Sequence, residues 1–267
     1  MEKGIIIKST GSWYTVKTQE GNTYNCKIRG SYRIKGIRAT SPVTVGDRVE
    51  ISGIEENSVA VIEKIEERRN YMIRRASNLS KEYQLIAANI DQAWIIACLT
   101  SPKTFLEFID RFLVTAQAYQ IPASVIFNKT DIYTLKQLKK LDLLLKLYEK
   151  IGYRSYSVSA KEKTNLENLN AALRGKTTLI SGNSGVGKST LINALHPNIA
   201  LRTGKISDYH KTGKHTTTFA EMVDLGDSTY IVDTPGIKGF GVVDFDISSW
   251  DKFHRYRIYT VPGVCWS

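Results

Sequence analysis

The sequence predicts an α/β domain, a mostly parallel sheet with helices on both faces, preceded by a small all-β barrel. One change of texture along its 267 residues carries that reading. Up to about residue 66, short alternating runs are broken by closely spaced turn signals. Beyond it, near-continuous apolar runs alternate with helical patterns.

The early runs are 13–18, 23–28, 47–52 and 58–65, punctuated by Gly11, Glu20-Gly21-Asn22, Gly46-Asp47 and Gly53. About five short strands in so little chain suggest a closed barrel, and the OB-fold is the commonest small barrel that binds nucleic acid. Charged Glu66-Glu67-Arg68-Arg69, followed by Arg74-Arg75, reads as the linker. The chain then divides into a barrel (1–66), an α/β domain (67–241) and a tail (242–267). In the second part, apolar strands at 93–99, 123–127, 156–158 and 178–180 alternate with helical patterns at 105–119 and 135–150. That alternation means a parallel sheet covered on both faces.

Charge and composition narrow the partners. The surplus of 37 Lys+Arg over 26 Asp+Glu, formally +11, favours a polyanion without choosing between RNA, DNA and anionic membrane. Lys27, Arg29, Arg33, Lys35 and Arg38 follow one another with no acid between them, and Tyr24 and Tyr32 are interleaved. Cations for phosphates and aromatic faces for unpaired bases are what single-stranded RNA binding requires. The competing reading is a charged barrel surface with partly buried tyrosines. No apolar run is long enough to span a bilayer, and Ile5-Ile6-Ile7 is too short for a signal peptide. Cys26, Cys98 and Cys265 lie far apart, which suits a reducing compartment and gives no zinc-knuckle spacing. The expectation is a cytoplasmic monomer with no membrane partner.

The strongest chemical signal is Gly182-Asn183-Ser184-Gly185-Val186-Gly187-Lys188-Ser189, which follows an apolar strand and opens a helix at Thr190-Leu191-Ile192. This is the phosphate-binding loop: glycines let backbone N–H groups curl round a β-phosphate, Lys188 reaches the β- and γ-phosphates, and the Ser189 hydroxyl ligates Mg²⁺. The base is read by Asn128-Lys129-Thr130-Asp131, after the strand at 123–127. A carboxylate at Asp131 accepts both N1–H and the exocyclic amine of guanine, a donor pair adenine lacks. Lys129 covers the base plane, and Asn128 ties this loop to the phosphate loop. Ser159-Ala160-Lys161 adds a backbone N–H, that of Ala160, for the guanine carbonyl.

Asp233-Thr234-Pro235-Gly236 is the γ-phosphate sensor, with Asp233 holding Mg²⁺ through water and the Gly236 N–H meeting the γ-phosphate. In Gly213-Lys214-His215-Thr216-Thr217-Thr218, Thr217 or Thr218 can ligate Mg²⁺ only while that phosphate is present. Ile237, after the sensor glycine, cannot orient water as a glutamine would. Either an activating partner completes the site or His215 does.

The motif order is unusual, since the guanine motifs precede the phosphate loop. With the N-terminal barrel and the Gly-Lys-His-Thr-Thr-Thr segment, residues 1–241 resemble the RsgA (YjeQ) family of small-ribosomal-subunit-dependent GTPases. The resemblance implies a circularly permuted P-loop GTPase domain after an OB-fold barrel, and a late 30S maturation factor that binds 16S rRNA. It also implies hydrolysis of GTP to GDP, Mg²⁺-dependent and stimulated by the subunit, with His215 matching the family's switch histidine. The competing class is a non-catalytic RNA-binding protein that keeps a nucleotide pocket. Family members continue into a zinc domain with three cysteines and a histidine, whereas only His254 and Cys265 stand here, too few for a tetrahedral site. The last twenty or so residues read as the product of a truncation or frameshift.

Overall fold

The first strand explains most of the architecture. In the computed structural model, which describes residues 1–29, 41–53, 59–75, 83–197 and 221–233, β1 (Glu2–Ser9) carries the Ile5-Ile6-Ile7 run. Successive side chains of a strand point to opposite faces. Ile6 therefore enters the barrel core while Ile5 and Ile7 pack against the core of the α/β domain. Because both its faces are covered, β1 reads as a continuous apolar run rather than an alternation.

The barrel is completed by β2 (Tyr14–Thr18), β3 (Thr23–Ile28), β4 (Arg48–Ser52) and β5 (Ala60–Ile65). Its order is β1-β2-β3-β5-β4, closed by antiparallel pairing of β4 back onto β1. The connection from β3 to β5 is parallel, so this is a closed five-stranded OB-like barrel rather than a meander. Ile6, Val16, Cys26, Val49, Ile51 and Ile62 fill it.

Residues expected to continue the linker instead build a hairpin, β6 (Tyr71–Arg75) against β7 (Tyr83–Ala88). Arg74 and Arg75 thus belong to a strand. The apolar residues beside them settle the matter: Met72, Ile86 and Ala87 join the α/β core together with Val45 of the barrel. Arg68 is likewise fixed, donating to both carboxylate oxygens of the fully buried Asp47 at 2.6 and 2.7 Å. Packing there is tight. Gly46 has φ +85°, and a Cβ on it would lie 2.1 Å from the Ala88 carbonyl oxygen.

The α/β domain follows with β8 (Gln92–Ala97), α1 (Leu106–Ala118), β9 (Ala123–Phe127), α2 (Leu135–Lys150), β10 (Arg154–Ser157), α3 (Glu167–Leu173), β11 (Thr177–Ser181), α4 (Lys188–Leu195), β12 (Glu221–Asp224) and β13 (Tyr230–Asp233). Its strand order is β10-β9-β8-β11-β13-β12, parallel except for β12. Residues of α1 and α2 pack on one face, and those of α3 and α4 on the other. Thr134 and Gln137 form a reciprocal capping box that starts α2 where the sequence pattern starts it. A pairing between Lys8 of β1 and Glu221 of β12 joins barrel and α/β domain into one sheet. Loops after β9, β10 and β11 open at the carboxyl ends of parallel strands, where ligands of such sheets bind, and β13 ends at the same edge with Asp233.

Candidate functional site

The phosphate loop leaves β11 at Ser181 and returns as α4. Gly182 sits at φ +151° and Gly187 at φ +93°. A Cβ on Gly182 would come 2.4 Å from the Ile96 carbonyl oxygen, and one on Gly187 would come 2.5 Å from Asn128 Nδ2. Both glycines are therefore demanded by neighbours as well as by backbone angle. Ser184 and Gly185 are exposed at the loop's crest, Asn183 is half-buried, and Val186 points into the core. Lys188 arches across the loop, donating to the carbonyl oxygens of Gly182 at 2.8 Å and Asn183 at 3.2 Å. Burial holds its pKa below the usual lysine value, partly offset by the nearby Asp233 carboxylate. Ser189 and Thr190 occupy the first turn of α4.

Asp233 ends β13, where the parallel register sets it opposite Ile180 of β11, beside the loop's origin. A buried carboxylate there, with the Ser189 hydroxyl on the next helix, is an oxygen donor set of the kind a hard divalent cation takes. Among the described residues, no group of three or more His, Cys, Asp and Glu is gathered to hold a metal ion.

The 128–131 loop, expected to read the base, is joined to the phosphate loop by Asn128. Its Nδ2 donates to the Val186 carbonyl at 2.9 Å, and its Oδ1 accepts from the Ala160 N–H at 3.0 Å. One buried side chain thus links three segments. The Ala160 N–H, expected to serve a guanine carbonyl, is directed at Asn128 here, so a base carbonyl would share it. Lys129 has left-handed backbone (φ +64°), and its Nζ donates to the Ser101 carbonyl at 2.5 Å. Asp131 accepts from the Ser159 hydroxyl at 2.6 Å, which orients the carboxylate. Lys161 turns to solvent and lies 3.5 Å from Glu162. An open depression of about 430 Å³ is lined by Thr130, Asp131 and Ser159 together with Leu138, Ser157 and Asn165, and by none of the phosphate-loop residues.

Sequence reasoning missed Tyr133 and Cys98. The Tyr133 hydroxyl donates to the Asn128 carbonyl at 2.7 Å and accepts from the Leu99 N–H at 2.8 Å. The Cys98 thiol donates to the same Val186 carbonyl, at 3.5 Å. No local pattern announces either residue.

On the barrel, Lys27 Nζ lies 4.3 Å from the centre of the half-exposed Trp13 ring. Arg29 is paired with Glu63 at 3.0 Å, so its charge is partly answered within the barrel. Tyr24 packs against the barrel core, which supports the partly buried reading of that tyrosine. Arg33, Lys35, Arg38 and Tyr32 lie outside the described residues, as do His215, Thr217, Thr218, Gly236 and the whole of 242–267.

A phosphate loop at a strand-to-helix turn, bridged by Asn128 to a base-side loop that precedes it in the chain, belongs to the circularly permuted P-loop GTPases. Comparison with known proteins narrows the class. The RsgA GTPase family profile matches residues 65–243, and that of the RsgA N-terminal domain matches residues 3–62. The chain is 54% identical over 264 residues to the small ribosomal subunit biogenesis GTPase RsgA of Phocaeicola vulgatus, covering 98% of this chain and 84% of that protein. With the protein of the same name from Christiangramia forsetii it shares 51% identity over 247 residues, covering 91% and 78%. Among solved structures it is similar to YjeQ from Thermotoga maritima, with a TM-score of 0.70, 30% identity, and 92% and 78% of the two chains covered. YloQ, a circularly permuted GTPase, gives 0.66, 27%, 92% and 75%. The chain belongs to the RsgA family of ribosome-biogenesis GTPases.

Proposed function

We propose that this chain hydrolyses GTP to GDP in the cytoplasm as a late maturation factor of the 30S ribosomal subunit, contacting 16S rRNA through its barrel and activated by the subunit. The observation that carries the nucleotide part is Asn128, whose two amide atoms bind the phosphate loop and the Ser159-Ala160-Lys161 loop at once. Phosphate and base recognition are thereby one rigid unit. In this reading Asp131, held by Ser159, selects guanine. Lys129 lies along the base and Lys188 swings from its loop carbonyls onto the phosphates. Ser189 and Asp233, with Thr217 or Thr218, hold Mg²⁺, which neutralises charge on the phosphate oxygens when bound. His215 orients the attacking water in the segment that the subunit completes. Lys27, stacked on Trp13, supplies a cation beside an aromatic face for rRNA.

GTP turnover measured against a titration of purified 30S subunits tests the whole reading. The rate should be slow alone and rise at least about tenfold with subunits. A second reading, nucleotide-dependent ribosome binding without effective turnover, is favoured by Ile237 at the position of a water-orienting glutamine. Saturable subunit binding with no rise in turnover selects it, and failure to bind the subunit at all defeats both.

A further inference from the structure

Besides its ties to neighbouring segments, the loop 128–133 is closed on itself by the side chain at its own end. The backbone bonds internal to it are long, with Ile132 N–H reaching the Lys129 carbonyl at 3.2 Å and Tyr133 N–H reaching the Thr130 carbonyl at 3.3 Å. The Tyr133 hydroxyl closes the span from Asn128 to Tyr133 at 2.7 Å and ties it to Leu99 at 2.8 Å. Leu99 leads two residues later to Ser101, whose carbonyl receives Lys129. The bonds therefore form a closed circuit, from the Asn128 carbonyl through the Tyr133 hydroxyl to Leu99, along the chain to Ser101, and back through Lys129. Asp131 lies within the 128–133 span that the Tyr133 hydroxyl closes.

We propose that Tyr133 is a positioning residue for guanine recognition: its hydroxyl fixes both ends of the loop, so that the Asp131 carboxylate is held in line for the exocyclic amine of the base. The inference rests on the guanine reading above. The ring is buried in the core that the sheet shares with α1 and α2, which fixes where the hydroxyl can reach. That burial also raises the phenol's pKa well above its ordinary value, so at physiological pH the hydroxyl keeps the proton it donates to Asn128. Leu99 can then donate to the same oxygen, and both roles are filled together. Phenylalanine would occupy the same volume and leave the Asn128 carbonyl and the Leu99 amide without this partner.

The test compares GDP with IDP, which keeps N1–H but lacks the exocyclic amine, by displacement of a fluorescent guanine nucleotide. In the unaltered protein GDP should bind more tightly than IDP. Tyr133→Phe should weaken GDP about tenfold and IDP about twofold, so that the preference between them shrinks. A fall in melting temperature or in affinity that leaves the GDP:IDP ratio unchanged overturns the proposal, because the hydroxyl would then serve only the fold. An unaltered protein that fails to prefer GDP over IDP and ADP instead defeats the guanine reading, independently of Tyr133. Should the variant not fold, amide exchange at Leu99 in the unaltered protein decides. Slower exchange with GDP bound supports the circuit, and equal exchange overturns it.

Discussion

The phosphate half and the base half of the nucleotide groove are built from different materials. The phosphate half is backbone from one segment. Its internal bonds span five or six residues, from Lys188 to Asn183 and Gly182, although two of its glycines, Gly182 and Gly187, are also forced by the close approach of Ile96 and Asn128. The base half is side chains brought from afar. Asn128 meets Val186 across 58 positions, Ala160 meets Asn128 across 32, and Lys129 meets Ser101 across 28. A locally folded loop keeps its shape when a side chain at its edge changes, whereas a tertiary network transmits the change. The two halves should therefore fail differently.

The largest effect on binding is expected at Lys188. Lys188→Ala should weaken GTP more than about a hundredfold, since an ammonium facing two phosphates has no substitute. Stability should not follow. Burial disfavours the charged lysine in the fold, so alanine should leave the melting temperature unchanged or raise it. Calorimetric titration with GTP beside a thermal melt checks both. A drop of several degrees would show that Lys188 holds the loop through its two carbonyls, and the contrast between halves would collapse.

Asn128→Ala is the counterpart. It removes two buried hydrogen bonds and strands the Val186 carbonyl and the Ala160 amide, at a cost of about 2 kcal/mol. In a chain of this size that is about 4–8 °C in melting temperature. GDP should weaken about tenfold with it, because the phosphate loop loses its tie to the base side. If binding falls while the melt is unmoved, Asn128 acts on ligand alone and the halves are independent.

The same division explains what could be read from the sequence. Phosphate-loop spacing is dictated by glycine conformations inside eight consecutive residues, so the motif was visible as a string. Strand β9 and helix α2 were equally visible, because each has its period and, for α2, its cap within the segment. The strand β1 was not, since its Ile5-Ile6-Ile7 run serves two cores and shows no alternation. The hairpin of β6 and β7 was hidden behind a run of arginines that looked like linker, although Met72 and Ile86 pack inside. Tyr133 carried no signal, because its importance depends on Leu99 lying close by, 34 positions earlier. Arg29 appeared as a free cation only because Glu63 is 34 positions away.

The smallest expected effect sharpens the comparison through pH. His196 closes α4 at the far end of the phosphate half, with Nε2 buried and unbonded among the described residues. Burial first, and the Arg174 charge second, lower its pKa from 6.5. The unfolded chain therefore binds the proton more readily, and the contribution of His196 is full above pH 6.5 and is lost as pH falls below it. Cys98, in the base half, is pushed the other way by burial, from 9.0 to about 11. Its thiol favours the fold below pH 9, and that advantage is lost as pH rises from 9 towards 11. The phosphate half should thus soften in acid and the base half in alkali. Melts from pH 5 to pH 11 on the unaltered chain, His196→Gln and Cys98→Ala isolate each limb by difference. Each variant should flatten one limb only, by about 1–2 °C, small because His196 is partly solvated. If His196→Gln leaves the acid limb as steep as before, the α4 end is not where acid acts, and the pH asymmetry between the halves is gone.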